Sequence, residues 1–238
     1  MRTTLAAVLL ASVSLVACGG GDDDDPVTPV IDAPIGGPDA PAANCTATAS
    51  FGDKGALTGQ AFFASESGDP PDDGAKDDVN EFVAPLETGE PFDGIDVLLY
   101  AGYGVFKPSA ANPNGVIQPG TYTISGEELT FDTCGVCVFL VTDITQAGYA
   151  DDYMAMSGTV EVTGAATAVG QTVSGRLTNI TFRHVTVGDG GVTTDVNDGC
   201  SSQLENATYT ASAMMPTMRS ASTPGPLGPK PLPARLRR

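Results

Sequence analysis

The residues best placed to do chemistry in this 238-residue chain are carboxylates gathered in two stretches. The first is Asp69-Pro70-Pro71-Asp72-Asp73-Gly74-Ala75-Lys76-Asp77-Asp78-Val79-Asn80-Glu81. Calcium takes roughly six to eight oxygen ligands, and Asp72, Asp73, Asp77, Asp78, Asn80 and Glu81 could supply them. Their spacing departs from the EF-hand loop, so a solvated loop of an acidic protein is the plainer expectation. Asp189, Asp195 and Asp198 form a second group in a Gly-rich stretch before Cys200, with the same plain expectation. No cofactor other than calcium is suggested. Paired carboxylates for glycoside hydrolysis are easily drawn by chance from so many acids, which makes a polysaccharide hydrolase the weaker functional alternative.

Cys134-Gly135-Val136-Cys137 has the spacing of a dithiol redox motif. Thioredoxin-type chemistry needs the first thiol at a helix N-terminus, where the dipole lowers its pKa. Here Val138-Phe139-Leu140-Val141 follows and reads as a strand, so a structural disulfide is expected. Val138 stands where haem attachment would need a histidine. The single histidine, His184, follows Ile180 and Phe182 at even spacing and should share their apolar face. No Gly-x-Ser-x-Gly elbow accompanies it, so a hydrolase triad has no foundation and a satisfied histidine at a sheet face or edge is expected. Sugar platforms are poorly provided: tryptophan is absent, and Tyr100, Tyr103 and Phe106 read as core.

The elements that must carry these residues are strands. From Cys45 onward short apolar runs alternate with turn signals, and no window shows a helical period. Strands are predicted at 45–51, 57–64, 95–106, 121–125, 128–131, 136–144, 153–163, 172–187 and 205–213. Met154, Met156, Val160 and Val162 should share one face of their strand. Val136–Val141 is apolar on both faces, as a central strand requires. In 172–187 the phase changes near Thr178–Asn179, where a bulge would restore register. An all-β, antiparallel β-sandwich follows, with a partly open β-barrel as the alternative.

Charge divides the chain. Residues 18–43 hold six acids and no base, residues 44–213 hold 23 acids against five bases, and residues 214–238 hold five bases. The acidic central region repels phosphates, so nucleic acid is excluded as a partner. Residues 18–43 are Gly, Asp, Pro and Ala, too poor in apolar area to offset ordering, and read as a disordered tether. Residues 214–238 are Pro- and Arg-rich and read as a disordered tail.

The N-terminus gives the compartment. Arg2 precedes the short apolar run Leu5 to Val16, which falls below the roughly 20 residues of a membrane-spanning helix and reads as a removable signal. It ends Leu15-Val16-Ala17-Cys18, followed by three glycines. This ending resembles the lipobox of bacterial lipoproteins, a resemblance confined to about residues 1–20. It implies a signal peptide over 1–17, diacylglycerol on the Cys18 thiol, cleavage between Ala17 and Cys18, and acylation of the new amine. The lipoprotein-processing enzymes would be partners, and the membrane would be held through lipid, two or three chains sufficing for a stable anchor. Gly19, in place of an inner-membrane retention aspartate, favours the outer membrane, on its periplasmic face or at the cell surface.

With Cys18 lipidated, Cys45, Cys134, Cys137 and Cys200 remain, an even set in an oxidising compartment. Three pairings are open. We favour Cys134–Cys137 as a local link and Cys45–Cys200 as a long staple. The functional expectation is a lipid-anchored, non-enzymatic envelope domain of binding or structural role, its ligand an envelope protein or glycan. A calcium-stabilised adhesive or carbohydrate-binding module is a variant of it.

Overall fold

A computed structural model describes residues 45–65, 78–188 and 191–216. The signal peptide, Ala17, Cys18, the tether and residues 217–238 of the tail lie outside the described residues, as do Asp72, Asp73, Asp77 and Asp189. Ten strands are formed: β1 Asp53–Leu57, β2 Gln60–Ala64, β3 Val79–Pro85, β4 Phe92–Tyr100, β5 Gly120–Thr123, β6 Val136–Ile144, β7 Asp152–Gly164, β8 Thr172–Val187, β9 Thr193–Asp195 and β10 Ser201–Met214. The described residues also form two short 3-10 turns, Gly104–Phe106 and Gly126–Leu129.

The chain is all-β and disulfide-stapled. Its strands pair in the order β1-β10-β2-β3-β4-β6-β7-β8-β9, with β5 added on β7. A further β8–β10 ladder returns the path to β10, so hydrogen bonding runs round a ring of strands. Most ladders are antiparallel, while β1–β10 and β10–β2 are parallel, which makes the sheet mixed. Inner faces meet across one core: Phe82 of β3 stacks on Tyr209 of β10 with centroids 4.9 Å apart. Such an aromatic pair adds about 0.5–1.5 kcal/mol beyond its area burial.

The interior β6 has the boundaries expected from its sequence. Val136, Val138 and Leu140 enter the main core, while Cys137 and Phe139 join a second cluster with Leu98, Tyr100, Phe131, Cys134 and Met154. β8 also matches its expected span, and its change of phase is real: Leu177, Ile180 and Phe182 are all fully buried. Asn179 supplies the extra residue at φ 50°. β10 changes phase opposite it, between Leu204 and Ala207, so the two strands stay in register.

The facing strand breaks the shared face expected for Met154, Met156, Val160 and Val162. β7 carries an extra residue between Ala155 and Ser157, where Met156 and Ser157 are both exposed. Gly158 follows at φ 121°, opposite the extra residue of β8, and a side chain there would strike Ile180 and the Asn179 carbonyl. Tyr153 and Ala155 therefore point inward with Val160 and Val162. Met154 turns to the second cluster and Met156 is exposed.

Other boundaries are corrected. Residues 45–51 are not a strand. They bend at Ala47 and Ala49 and touch the sheet through one bridge at Ser50–Gln203, and the Thr48 N–H goes to the Asp93 carboxylate instead of a ladder partner. Residues 57–64 divide at Thr58-Gly59 between β1 and β2, and 95–106 leaves the sheet after Tyr100. Residues 128–131 form no strand, since Glu128 closes a 3-10 turn. β3 and β9 were not expected. Val79, Asn80 and Glu81, taken for loop, open β3, which pairs with β2 and β4.

Candidate functional site

The chemistry-bearing groups converge where the first described residues meet β6, β7, β8 and the end of the β9–β10 connection. His184 in β8 stands opposite Tyr153 in β7, and their rings stack with centroids 4.9 Å apart and planes 17° apart. Its Nδ1 lies 2.6 Å from Asp198 Oδ2 and its Nε2 3.4 Å from Asp151 Oδ1. The other Asp198 oxygen accepts the Cys200 N–H at 2.9 Å. The other Asp151 oxygen accepts the Thr46 hydroxyl at 2.9 Å, and Thr46 is in turn 2.9 Å from the Thr142 hydroxyl. Cys45 is disulfide-bonded to Cys200, with Cα atoms 5.4 Å apart.

Both ring nitrogens of His184 thus face carboxylates. A serine-type triad needs one of them to face a nucleophilic hydroxyl. The nearby Thr46 hydroxyl donates to Asp151 instead, so the arrangement is a clasp joining two carboxylates through an imidazole. The hydrogen bond from His184, helped by the Cys200 N–H, holds Asp198 below the usual carboxylate range. His184, Asp198 and Cys200 also place metal-ligating atoms within 4.8 Å of one another.

His184 is the satisfied histidine that its spacing suggested. Asp151, Tyr153 and Thr46 escaped sequence reading. The register of the β7–β8 hairpin carries the missing signal, because pairing those two strands across their bulges sets Tyr153 beside His184.

The acidic groups separate. Asn80 is fully buried in β3, where its Oδ1 accepts the Ala166 N–H at 2.6 Å and its Nδ2 donates to the Ala166 carbonyl at 3.0 Å. Its amide is therefore committed to the β7–β8 loop, which removes Asn80 from the calcium set. Glu81 is buried in the same strand and Asp78 just ahead of it. In the second group, Asp195 pairs with Arg183 at 3.1 Å and Asp198 with His184, so they do not share a cation site.

Cys134 and Cys137 are bonded and both fully buried, with β6 running on from Val136. Glu128 ties this corner together. Its Oε1 accepts the Val105 N–H at 2.8 Å and its Oε2 the Val136 N–H at 2.5 Å, with the Gly135 N–H also directed at it. Burial pushes its carboxyl above the ordinary range, and the N–H donors oppose that shift. A Cβ on Gly135 would collide with the Tyr103 carbonyl, so the loop closes only around glycine.

A cleft of about 370 Å³ opens over the ladders of β7, β8, β10 and β1. Glu161, Arg176 and Thr208 form one row across it by register, and Ser174 and Thr210 pair in the next. Tyr209 also lines the cleft, and its buried hydroxyl has no hydrogen-bond partner among the described residues. Comparison of the chain with protein-family models, curated proteins and solved structures finds no match. What these groups can do is therefore read from their geometry.

Proposed function

We propose that the chain is a lipid-anchored protein of the bacterial envelope, probed or bound through a non-enzymatic β domain held off the membrane by its tether. The observation that carries this reading is the fastening of residues 45–52, where an acidic tether would deliver its load. Cys45 is bonded to Cys200, Ser202 Oγ donates to the Thr48 carbonyl at 2.6 Å, and the Phe51 N–H donates to Gln203 at 2.8 Å. The Glu205 N–H adds a bond to the Gly52 carbonyl at 3.0 Å. All of these run to β10 or to Cys200 just ahead of it, and β10 is zipped to β8 through eleven residue pairs, so a pull on the tether spreads into a long ladder rather than peeling one end.

A carbohydrate-binding variant is favoured by the cleft, whose Thr, Ser, Glu161 and Arg176 side chains suit hydroxylated ligands. The anchor is tested in the native host. The mature N-terminal peptide should carry diacylglycerol on Cys18, and Cys18→Ser should accumulate uncleaved precursor. A soluble chain without lipid, cleaved elsewhere, would overturn the proposal. Glycan-array binding that is lost in Arg176→Ala would support the variant.

A further inference from the structure

We propose that the Cys45–Cys200 corner is a redox-gated zinc site, closed while the disulfide stands and opened by a dithiol reductant. This inference does not depend on the lipid anchor. Zinc favours thiolate, imidazole and carboxylate ligands in tetrahedral sets of four. Cys200, His184 and Asp198 already bring one ligating atom each within 4.8 Å of one another. Cys45 is the fourth, since its sulfur is bonded to that of Cys200. In the disulfide neither sulfur is a thiolate, which is the form that binds metal.

The chemistry balances simply. The dithiol supplies two electrons and two protons, its own sulfurs pairing as a new disulfide while the Cys45–Cys200 bond breaks to two thiols. Both thiol protons leave as zinc binds. Two thiolates, the Asp198 carboxylate and a neutral His184 then surround the cation.

The surroundings of His184 fit this role better than a purely structural one requires. Metal-bound histidines hand their second ring N–H to a carboxylate or carbonyl, which fixes the ring and raises its basicity. Here Nδ1, which faces Asp198, can turn to the metal while Nε2 keeps the Asp151 carboxylate beside it. Stacking on the fully buried Tyr153 holds the ring plane. Asp151 is itself braced by Thr46, next in sequence to Cys45. The site is also reachable: Asp198 is exposed and Cys45 half-buried, whereas Cys134 and Cys137 are sealed in the second cluster.

The test uses the full chain carrying Cys18→Ser, so that no fifth thiol competes, titrated with Co²⁺ and then Zn²⁺. The oxidised protein should give no cobalt–thiolate charge-transfer band. After dithiol reduction it should bind one equivalent with that band and tetrahedral d–d absorption. Cys45→Ser should weaken binding and roughly halve the band, and Cys45→Ser with Cys200→Ser should abolish it. His184→Ala should weaken binding by about tenfold or more, and Asp151→Asn, which acts by positioning the ring, by about tenfold. The pair Cys134→Ala and Cys137→Ala should leave it unchanged. Zinc-loaded reduced protein should keep the near-ultraviolet circular dichroism of the oxidised form. No band after reduction, a band that depends on Cys134 and Cys137, binding indifferent to His184, or zinc held by a chain lacking that dichroism would each overturn the proposal.

Discussion

Replacing Cys45 and Cys200 together by alanine perturbs the structure in a way whose size can be worked out. The bond closes a loop of 155 residues, nearly the whole span of the described sheet. In the chain-entropy model such a link removes about 17 cal/mol/K from the unfolded ensemble, or about 5 kcal/mol at 25 °C. The native state should lose less, because the hydrogen bonds of Thr48, Phe51 and Gly52 to β10 survive. For comparison, the separation of three between Cys134 and Cys137 gives only about 1.5–2 kcal/mol by the same relation. Domains of this kind have about 5–15 kcal/mol in all, so the double variant would be left marginal. Urea unfolding followed by far-ultraviolet circular dichroism reads the effect. Stability should fall by about 3–5 kcal/mol, and the m-value should rise because an uncrosslinked chain exposes more surface when unfolded. A loss below about 1 kcal/mol with an unchanged m-value would refute the reasoning, since it would mean that the staple constrains little in either state.

Two further outcomes concern single carboxylates. Glu128→Gln keeps the shape but presents an amide NH₂ to one of the backbone N–H groups that now meet a carboxylate oxygen. Losing one charge-assisted bond and leaving a buried donor without an acceptor should cost about 2–3 kcal/mol, visible as a lowered Tm. Asp198 has its pKa lowered on folding by His184, so it contributes stability above the ordinary carboxylate range and loses it as pH falls through its lowered folded value. Asp198→Asn should therefore flatten the acid limb of the stability–pH profile between those two values, measured by urea unfolding across acid pH.

Much of the sheet was legible because its strongest strands carry their own signal. β6 is apolar on both faces and β8 has a visible change of phase, and both were bounded correctly. β3 was hidden because it begins inside a run of acids and amides. Asn80 and Glu81 look like solvent-facing residues until a partner 86 residues further along the chain, the Ala166 backbone, commits the Asn80 amide and lets it be buried. Glu128 failed for the same reason: its three N–H donors come from residues 105, 135 and 136, and only the closed loop brings them together. The periodicity of β8 put His184 on the inward face, but its carboxylate partners depend on hairpin register and on the turn before Cys200. The extra residue of β7 between Ala155 and Ser157 was unreadable because Met154 and Met156 carry the apolar alternation straight through it. Distant pairing, rather than local preference, decided each of these positions.

The short strands at the two ends of the pairing path have a consequence for how the molecule keeps company with its own kind. β1 has five residues and β9 three, and the long strands between them already spend their hydrogen bonds on neighbours. β5, four residues long, pairs on β7 alone, so among the described residues each such margin is short and offers little template on which another copy could add a strand. Copies crowded side by side on a surface would thus meet through side chains alone, and remain separate molecules at densities where a longer open margin would seed aggregation.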